Sequence, residues 1–544
     1  MPFFSIFVEN LDEMEENKKG LRFGIITDDI KMQQWKVNVV KTLVANGVAL
    51  STIIKIQGQN ESIGNKAAKW FNKLSRKMFF NTESYKNTNL NDFVDISGIP
   101  IKNCMTKVIG DTMFFADNDI QFIENQGLDF IIRLNNLRVG GELVDNIRYG
   151  IWEFCFHDEK TYIEAKPNGF WEFLGKKSSN AVSLQRTTND REKAVILKKN
   201  HYPIIKSSYT KHIEQMLTDC CNMPLQVCRS IVNDENAGKG YETRLGKETK
   251  SGMGFGGFMK YLCVATWRKI AGTGRDDNSF DRDIGIAEVP VFDFFQDPDS
   301  HRKKIKWLRR ASRSQRYSTP SAITTANDTY VFFVVDDTEE KTSTINMVRK
   351  SEGYKDLHTV LDNGHALSYP FVFRKDEAIF CIPQDIESQQ ITLYRFNEES
   401  LQLEKDTILY DGIKAYRPTA VFGNNHWNIF YSKEESLYTK LYLMSSDDLR
   451  GSYTQFYNNP VKTDNRGALM AGGFISINGK TYRPAYNQSQ RHVVLYEVDE
   501  MSDGIYTEHQ AEKHVVGKLK WSRFGNGTQC VSGNDIITVI DGMR

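Results

Sequence analysis

The sequence of 544 residues predicts an α/β domain followed by an all-β domain of the β-propeller type. The first observation is a strand–helix–strand pattern near the start of the chain. The second is a strand–turn–strand pattern that recurs about every 50 residues through the last two-fifths of the chain. We therefore divide the chain into a leader (residues 1–20), an α/β domain (21–210), a helical and glycine-rich connector (211–282) and a propeller (283–544).

The α/β domain opens with an apolar strand at residues 21–27, LRFGIIT. Apolar residues at spacings of three and four then predict a helix around Trp35, and residues 49–56 predict a second strand. Parallel α/β sheets bind ligands at the carboxyl ends of such strands. Because no GxGxxG motif follows the first strand, the sequence does not predict a dinucleotide site of the usual type.

The connector contains seven glycines between residues 233 and 257, and we predict a mobile loop there. A run of eight Lys and Arg residues follows within residues 302–316. Such a run usually forms a solvated face. The alternative is that it holds the phosphate of a glycolipid or sugar nucleotide, which would bring the protein into peripheral contact with a membrane.

The propeller repeat has four clear copies, which begin at Pro320, Pro370, Pro418 and Gly472. Each copy predicts a strand, a polar turn and an aromatic-rich strand. The strands around residues 530–540, together with residues 284–295, predict a fifth blade. Propellers bind ligands on the central axis, so we expect a site where the innermost strands converge.

Composition argues against several classes of protein. A net charge of +1 gives no reason to expect nucleic acid as a partner, and no apolar run reaches the length of about 18 residues that spans a membrane. The first 20 residues lack the basic start and apolar core of a signal peptide. The eight cysteines form no CxxC pair and have no His-rich spacing, so we expect reduced thiols, a cytoplasmic location and no metal site.

Three segments between residues 149 and 197 carry a resemblance: YGIWEFCFHD, NGFWEFLG and VSLQRTTNDREKAVIL. Their order resembles the formyltransferase domain shared by methionyl-tRNA formyltransferase and the enzymes that N-formylate amino sugars. It resembles more closely the N-terminal region of the glucosamine inositolphosphorylceramide transferases, including bacterial members of that family. The later segments IGIAEVPVFDFF, HALSYPFVF and TYRPA are similar to the same family. The resemblance implies a Rossmann-type, formyltransferase-like α/β domain followed by a five-bladed propeller of the arabinanase and levansucrase type.

At the catalytic positions that the resemblance implies, this sequence has other residues than the formyltransferases. The asparagine and histidine of formyl transfer would fall at Glu153 and Cys155, and the aspartate at Glu192. A glutamate donates no hydrogen bond to an oxyanion unless it is protonated, and a buried cysteine is a poor base. A two-residue shift of the alignment would instead make His157 the base, with Asp158 or Glu192 beside it. A formyl-folate donor is implied only in that case, and otherwise we expect no cofactor.

The propeller departs from its relatives in the same way. The resemblance implies carboxylates near the innermost strands, where this sequence has Thr319, Gln384 and the stretch 418–420 (PTA). Hydrolysis of a glycosidic bond needs two carboxylates, and nearby only Asp336, Asp337 and Asp385 remain.

The aromatic, amide and cationic side chains kept on these strands suit sugar rings and anionic groups. The predicted ligand-binding residues are His365, Tyr369, Asp385, Arg417, Arg483, Tyr486 and Asn487.

Three hypotheses follow from these observations. The first is a glycan- or glycolipid-directed protein of surface polysaccharide or glycoconjugate biosynthesis, whose two degenerate sites bind sugars rather than transform them. The second is an active N-formyl or acyl transferase on an amino sugar or sugar nucleotide. The third is a propeller glycoside hydrolase with Asp336 or Asp385 as unconventional acids. The expected partner is a glycan, glycolipid or sugar nucleotide, nucleic acid is not expected, and no oligomeric state is predicted.

Overall fold

The computed structural model describes residues 20–57, 79, 81–159, 162–163, 168–175, 177–246, 248–249, 255–271, 282–502, 505–516 and 527–543. The predicted leader lies outside these residues, apart from Gly20. The chain divides into two compact units, residues 1–273 (the first unit) and 274–544 (the second unit). No helix in the described part of the chain is long and apolar enough to cross a membrane.

The first unit alternates strands and helices. Its strands are β1 (Arg22–Thr27), β2 (Lys31–Gln33), β3 (Ala49–Gln57), β4 (Asn87–Asn89), β5 (Ile101–Met105), β6 (Lys107–Ile109), β7 (Thr112–Phe114), β8 (Phe130–Arg133), β9 (Arg138–Gly140), β10 (Ile151–Cys155), β11 (Tyr162–Ile163), β12 (Ser179–Arg186), β13 (Lys193–Pro203), β14 (Tyr241–Arg244) and β15 (Glu248–Thr249). Its helices are α1 (Gln34–Ala45), α2 (Asp117–Glu124), α3 (Leu143–Asn146), α4 (Phe170–Leu174), α5 (Tyr209–Cys220), α6 (Met223–Asn233) and α7 (Phe255–Ala271).

An eight-stranded sheet organises the first unit, in the order β14-β13-β12-β10-β8-β1-β3-β5. Strands β10, β8, β1, β3 and β5 run parallel, and β12, β13 and β14 extend the sheet in antiparallel fashion. The predicted strand–helix–strand opening is β1, α1 and β3. From β1 the chain first builds outward through β3 and β5, then returns to the other side with β8 and β10. In open parallel sheets, the carboxyl ends of the strands at such a reversal form a crevice.

The continuous apolar run of β1 has a physical reason. Successive side chains of a strand point to opposite faces, and both faces of this sheet are covered. Ile25 lies in one hydrophobic core and Ile26 in the other. On the neighbouring strand, Ile53 and Ile54 divide in the same way. A sheet buried on both faces therefore accounts for strands without alternating polarity.

The predicted connector belongs to the first unit. Helices α5 and α6 bury Ile213, Met216 and Leu225 in the same core as Trp35 of α1. Strand β14 pairs with β13 at the edge of the main sheet. The boundary predicted at residue 210 is therefore wrong, because the apolar faces of these helices complete the core of the first unit.

The predicted mobile loop at residues 233–257 is corrected in part. It contains a short 3-10 turn (Glu235–Lys239) and the strands β14 and β15. Gly240 has a φ of 60°, and a Cβ there would lie 2.5 Å from the carbonyl oxygen of Ile196. Glycine at this position thus lets the chain approach β13 closely. Residues 247 and 250–254 of the predicted loop lie outside the described residues.

The second unit consists mainly of strands. They are β16 (Arg282–Ala287), β17 (Lys306–Trp307), β18 (Gln315–Thr324), β19 (Thr329–Asp337), β20 (Thr342–Arg349), β21 (His358–Leu361), β22 (Leu367–Lys375), β23 (Ala378–Asp385), β24 (Gln390–Asn397), β25 (Gln402–Asp411), β26 (Tyr416–Gly423), β27 (His426–Ser432), β28 (Lys440–Ser446), β29 (Thr454–Gln455), β30 (Lys462–Thr463), β31 (Leu469–Met470), β32 (Ile475–Ile477), β33 (Lys480–Asn487), β34 (His492–Ser502), β35 (Ile505–Val516), β36 (Val531–Gly533) and β37 (Thr538–Met543). Two short helices, α8 (Val291–Gln296) and α9 (Pro298–His301), follow β16.

Within the described residues, these strands pair into five antiparallel sheets. Four sheets follow chain order: β18 to β21, β22 to β25, β26 to β30, and β31 to β35. In the fifth, β16 and β17 from the start of the unit pair with β36 and β37 from its end. Strand β18 lies beside β22, and β22 beside β26. Antiparallel sheets of four or so strands that repeat along the chain are the architecture of a β-propeller.

The same backbone irregularity occurs in the first strands of three consecutive sheets. In β18, β22 and β26 the pairing register shifts around a proline, and the residue before it has a positive φ: 48° at Thr319, 43° at Tyr369 and 51° at Arg417. A positive φ is unfavourable for these residues and persists only where the surrounding structure holds it, often at functional sites. The prolines of the sequence repeat thus mark a shared departure from regular pairing.

The fourth copy of the repeat begins with glycine for a steric reason. Gly472 has a φ of 149°, and a Cβ there would lie 1.9 Å from the carbonyl oxygen of Val531. No side chain fits so close to another strand. Glycine therefore allows β36 to approach the fourth sheet.

Candidate functional site

A pocket of about 310 Å³ lies where the first strands of several sheets of the second unit meet. We call it the first-strand pocket. Its lining combines guanidinium, hydroxyl, amide and phenol groups, contributed by Arg282, Arg316, Tyr317, Ser318, Thr319, Asp336, Ser368, Gln384, Tyr416, Arg417, Leu437, Tyr438, Leu469 and Gln529. Because polar groups from distant parts of the chain converge here, this pocket is the candidate binding site of the second unit.

Arg417 is a buried cation of the pocket, with 8% of its surface exposed. Its guanidinium donates to the carbonyl oxygens of Met470 (2.7 Å) and Gln529 (3.2 Å) and to the side-chain oxygen of Gln529 (3.0 Å). Its backbone N–H donates to Oε1 of Gln384 at 3.0 Å. The guanidinium also lies 5.5 Å from the ring centre of Tyr369. The cation is therefore held rigidly in place.

All the hydrogen-bond acceptors of Arg417 are neutral. In the described part of the chain, no carboxylate lies within ion-pair distance of its guanidinium. The buried carboxylate of Asp541 instead accepts the backbone N–H groups of Gln529 (2.7 Å) and Cys530 (2.8 Å). Arg417 thus brings a buried positive charge to the pocket without an adjacent negative one.

Asp336 is the one carboxylate among the lining residues. Burial raises its pKa, while a hydrogen bond from Ser343 (2.6 Å) and the nearby charges of Arg282 and Arg316 act in the opposite direction. Glycosidases need two carboxylates that flank the scissile bond. A single lining carboxylate does not provide that arrangement.

Thr319 occupies the position before the proline of the first repeat, where the resemblance implies an acid. Thr319 is 4% exposed, and its hydroxyl has no hydrogen-bond partner among the residues that the structure describes. Buried hydroxyls are nearly always hydrogen-bonded. Thr319 therefore offers the pocket a donor and acceptor that the protein itself does not use.

His365 and Asp385, both predicted to bind ligand, lie outside the pocket lining and bind each other. Nδ1 of His365 lies 2.9 Å from Oδ2 of Asp385, which also accepts from Asn363 at 3.0 Å. Oδ1 of Asp385 accepts the backbone N–H of Ser388 at 3.0 Å. The pair therefore stabilises the turns at the ends of β22 and β23.

The remaining predicted residues also have structural roles. Tyr369 is buried beneath Arg417, and its hydroxyl lies 3.1 Å from that of Thr419. Arg483 is fully buried in an ion cluster, and Tyr486 is fully buried in a hydrophobic core. Asn487 caps the turn after β33 by accepting from Ser489. Of the seven predicted residues, only Arg417 lines the pocket.

Arg282, Arg316 and Gln529 are among the lining residues that were absent from the predicted ligand-binding set. Arg316 belongs to the basic run, for which the sequence left two alternatives, a solvated face or a surface that holds a phosphate. Its place in β18, three residues before Thr319, is the signal that could have identified it. Another residue of that run, Arg310, forms an ion pair with the buried carboxylate of Asp283 at 2.5 Å. The basic run therefore includes residues with roles inside the fold.

The first unit has its own pocket, of about 190 Å³, at the carboxyl ends of β8 and β10. We call it the sheet-end pocket. Amide and aromatic side chains dominate its lining, which is Gln33, Trp35, Lys36, Arg133, Leu134, Asn135, Asn136, Arg138, Glu153, Phe154, Cys155, Phe156, His157, Asn168, Gln185 and Leu245. Its place beside the reversal of strand order is the one expected for an α/β ligand site.

Glu153 lines the sheet-end pocket, but its carboxylate is already paired with another side chain of the protein. It forms an ion pair with Arg133, and both side chains are largely buried. Arg133 also donates to the carbonyl oxygens of Asn135 (3.0 Å) and Leu137 (2.9 Å). A carboxylate paired with a guanidinium accepts hydrogen bonds and donates none. Glu153 therefore cannot replace the asparagine implied at this position.

Cys155 follows two residues later on β10. Burial raises the pKa of its thiol to about 12, and the thiol donates to the carbonyl oxygen of His157 at 3.4 Å. At neutral pH the group is a protonated thiol, which is neither a base nor a nucleophile.

His157 is 7% exposed and lines the same pocket. Asp158 lies 3.7 Å from the ammonium of Lys177. Glu192 is exposed in the turn between β12 and β13 and is not part of the lining.

A buried carboxyl, that of Glu172 on α4, lies near enough to His157 to interact with it electrostatically. Burial raises the pKa of Glu172, and the charge of His157 acts in the opposite direction. Neither carboxyl oxygen of Glu172 has a hydrogen-bond partner among the described residues, so its effect on His157 is electrostatic.

Within the described residues, no group of three or more His, Cys, Asp or Glu side chains is placed to hold a metal ion.

The repeated antiparallel sheets place the second unit among proteins of the β-propeller class. Residues 310–542 match the family model for the N-terminal region of glucosamine inositolphosphorylceramide transferase 1. This match covers most of the second unit and supports the family resemblance there. The first unit lies outside the matched residues.

Similar proteins include glucosamine inositolphosphorylceramide transferase 1 of Oryza sativa, from both subspecies indica and japonica. Each is 24% identical over 206 residues, which cover 35% of this chain and 27% of the relative. The chain thus matches about a quarter of the length of these relatives.

Two solved structures are similar at low scores. A thermostable family-43 glycoside hydrolase is 12% identical with a TM-score of 0.29, covering 36% of this chain and 74% of that one. An α-L-arabinofuranosidase from Podospora anserina is 10% identical with a TM-score of 0.33, covering 44% and 93%. The fold described above rests on the strand pairing of this protein itself.

Proposed function

We propose that this protein is a glycan- or glycolipid-directed protein of glycoconjugate biosynthesis, and that its first-strand pocket binds a sugar without hydrolysing it. We further propose that the five sheets of the second unit are the blades of one propeller of the arabinanase type. The observation that carries the proposal is the pocket lining, in which one carboxylate stands among hydroxyl, amide, phenol and guanidinium groups. Such groups suit sugar hydroxyls.

The proposal of binding without hydrolysis follows from charge. A retaining or inverting glycosidase needs an acid and a second, ionised carboxylate across the scissile bond. Asp336 could provide one of these roles, but Thr319 and Gln384 stand where the resemblance implies acids, and Asp385 is committed to His365. With no second lining carboxylate among the described residues, the pocket can hold a glycoside but not cleave it.

The choice of ligand class draws on the family match. The relatives are named for transfer of glucosamine to inositolphosphorylceramide. We therefore propose a sugar or cyclitol unit of a glycolipid, or of its sugar donor, as the ligand. The pocket volume of about 310 Å³ lies at the lower end of the usual range of about 300–1,000 Å³ and suits one such unit.

The test is isothermal titration calorimetry of the full chain with glucosamine, myo-inositol and a panel of neutral monosaccharides. In parallel, 4-nitrophenyl arabinofuranoside and galactoside are offered as substrates. We expect saturable binding of at least one sugar and no release of nitrophenol. Failure to bind any sugar, or turnover of either glycoside, would overturn the proposal.

A matched pair of tyrosine variants locates the binding. Tyr416→Ala removes an aromatic face from the pocket, and we expect about three- to tenfold weaker sugar binding. Tyr457→Ala removes an exposed tyrosine outside the lining, and binding should not change. Equal effects of the two variants would place the sugar elsewhere.

The second candidate is N-formyl or acyl transfer to an amino sugar in the first unit, which would then be formyltransferase-like. The observation in its favour is that His157 lines the sheet-end pocket with Glu172 nearby. If this candidate holds, the protein should transfer formyl from a formyl-folate donor, and His157→Ala should abolish that transfer. Glu192→Gln, at an exposed position outside the pocket, should leave it unchanged. No formyl transfer by the unaltered protein, or equal transfer by His157→Ala, would exclude this candidate.

A further inference from the structure

The first-strand pocket contains more positive than negative charge. Its lining has three guanidinium groups, those of Arg282, Arg316 and Arg417, and one carboxylate, that of Asp336. Arg282 and Arg316 lie near enough to Asp336 to favour its ionised form. Arg417 has no carboxylate within ion-pair distance among the described residues. The pocket therefore presents a positive potential to whatever enters it.

Among the described residues, the charge of Arg417 is met by neutral oxygens and by the ring of Tyr369, and by no carboxylate. Its hydrogen bonds to Met470 and Gln529 link β26 to β31 and to the segment before β36, and all three go to neutral oxygens, none of which requires a positive charge. Burying a cation without a counter-charge is unfavourable, because water no longer solvates it. A positive charge kept at this cost indicates a negative partner that arrives from outside.

Two further lining groups have capacity for hydrogen bonds to a ligand. Thr319 is 4% exposed, and its hydroxyl has no hydrogen-bond partner within the described part of the chain. Gln384 uses Oε1 to accept from the backbone of Arg417. The amide nitrogen of Gln384 has no acceptor in the described part of the chain. The pocket is therefore rich in donors, and it fits a ligand rich in acceptors.

We propose that the first-strand pocket recognises its sugar through a phosphate ester, and that Arg417 and Arg316 are the groups that bind the phosphate. This inference rests on the sugar-binding function proposed above and specifies its ligand class. A phosphate group offers several acceptor oxygens and up to two negative charges, and guanidinium groups bind it through paired hydrogen bonds. A uronic acid carries one charge and fits an excess of positive charge less well.

A phosphate ester could belong to a sugar phosphate, a sugar nucleotide or the headgroup of a glycolipid. The probes are therefore glucose 1-phosphate, uridine diphosphate glucose and vesicles of phosphatidylcholine with or without phosphatidylinositol. Glucose serves as the matched neutral ligand, and inorganic phosphate as the matched anion without a sugar. Calorimetry measures the soluble probes, and co-sedimentation measures the vesicles.

We expect at least one phosphorylated probe to bind about tenfold or more tightly than its neutral counterpart. Added salt should weaken this binding, because the interaction is electrostatic. Arg316→Gln should weaken it about five- to tenfold and weaken binding of the neutral sugar by a clearly smaller factor. Arg313→Gln is the matched control: Arg313 is an exposed residue of the same basic run, outside the pocket, and its loss should change affinity less than twofold.

Asp336→Asn gives the sharpest test, because the two kinds of ligand respond in opposite directions. Asparagine keeps an oxygen to accept from Ser343 and removes the one negative charge of the lining. A phosphate ester should then bind several-fold more tightly. A neutral sugar that uses the carboxylate as an acceptor should bind more weakly.

The outcomes separate this inference from the proposed function. If neutral and phosphorylated probes bind equally and Arg316→Gln changes neither, the phosphate site is wrong and sugar binding stands. If no sugar, sugar phosphate or phosphatidylinositol vesicle binds, both proposals fall. If inorganic phosphate binds as tightly as every sugar phosphate, the anion site stands and recognition of the sugar is overturned. A response confined to vesicles with phosphatidylinositol would support the phosphate site and assign it to a lipid headgroup.

Discussion

Two buried arginines of the second unit differ in one respect. Arg483 is fully buried and donates to both carboxylate oxygens of Glu508, at 2.7 and 2.6 Å. Lys462 joins the same carboxylate at 2.6 Å. Arg417 is 8% exposed and donates only to neutral oxygens. The first arginine has its counter-charge within the protein, whereas the second has none among the described residues.

This difference separates charges that hold the fold from charges that await a ligand. The cluster of Arg483, Glu508 and Lys462 uses its own charges to offset burial. In the sheet-end pocket, the guanidinium of Arg133 is likewise paired with the carboxylate of Glu153. Within the described residues, the first-strand pocket combines a buried cation without an ion-pair partner, Arg417, with a buried hydroxyl without a hydrogen-bond partner, that of Thr319. Burial alone therefore does not identify a site, and a buried charge without a counter-charge inside the protein is the stronger indication of one.

The largest expected effect is on the stability of the second unit, when the cluster of Arg483, Glu508 and Lys462 loses its carboxylate. Glu508→Gln leaves Arg483 and Lys462 buried without their carboxylate, and we expect it to destabilise the second unit by about 3–5 kcal/mol. Glu497→Gln is the control, because Glu497 pairs at 2.6 Å with the exposed Lys480 in the same sheet. The measurement is denaturant unfolding, with hydrogen exchange of peptides from β33 to β35 to assign the transition. Equal midpoints for the two variants would contradict a structural role for the cluster.

The second effect concerns acid stability. Burial disfavours the charge of Glu508, but Arg483 and Lys462 dominate and hold the pKa of its carboxyl at about 2. The unfolded chain should have a value of about 4.3. Because the folded value is lower, the stabilisation is present above about pH 4.3 and is lost as the pH falls towards 2. It amounts to roughly 3 kcal/mol at most.

The pH dependence of this stabilisation is measured by thermal unfolding of the unaltered protein and of Glu508→Gln between pH 6 and pH 2. The difference between their unfolding temperatures should shrink as the pH falls through this window. A constant difference would mean that Glu508 does not titrate with folding.

The third effect concerns the stability of the protein when the charge of Arg417 is removed. Arg417→Gln loses hydrogen bonds to two carbonyl groups but leaves no carboxylate unpaired, so we expect a loss of about 1–3 kcal/mol, less than for Glu508→Gln. Arg417→Lys keeps the charge and loses the planar fork. The same unfolding experiment measures both variants. If Arg417→Gln destabilises as much as Glu508→Gln, then Arg417 belongs to an ion network of the fold and the contrast between the two arginines fails.

The sequence predicted much of the architecture because the architecture is local. The strand–helix–strand opening follows from apolar spacing around Trp35, and the repeat at Pro320, Pro370 and Pro418 follows from one backbone irregularity in three sheets. The end of the first unit was missed, because nothing local distinguishes helices that complete a core from helices that join domains.

The site was harder to predict, because it depends on long-range pairing. Arg282 comes from the first strand of the second unit and Gln529 from the approach to its end, and only the sheet formed by β16, β36 and β37 brings both near Arg417. His365 and Asp385 have the residue types of a binding site, but the turns place them against each other. Residue type identified groups with suitable chemistry, and only the fold showed which of them are already paired.

The smallest expected effect tests whether the sheet-end pocket, like the cluster around Glu508, lacks an unpaired reactive group. Cys155 is held as a thiol with a pKa of about 12, whereas Cys263 of α7 is exposed. Because only the thiolate reacts, we expect iodoacetamide at neutral pH to modify Cys263 well before Cys155. Peptide mass spectrometry of the native protein measures this, and the denatured protein, in which both thiols should react, is the control. Rapid modification of Cys155 in the native protein would mean that the pocket stabilises a thiolate. The first unit would then contain an unpaired reactive group, and a transferase role for it would gain support over a purely binding one.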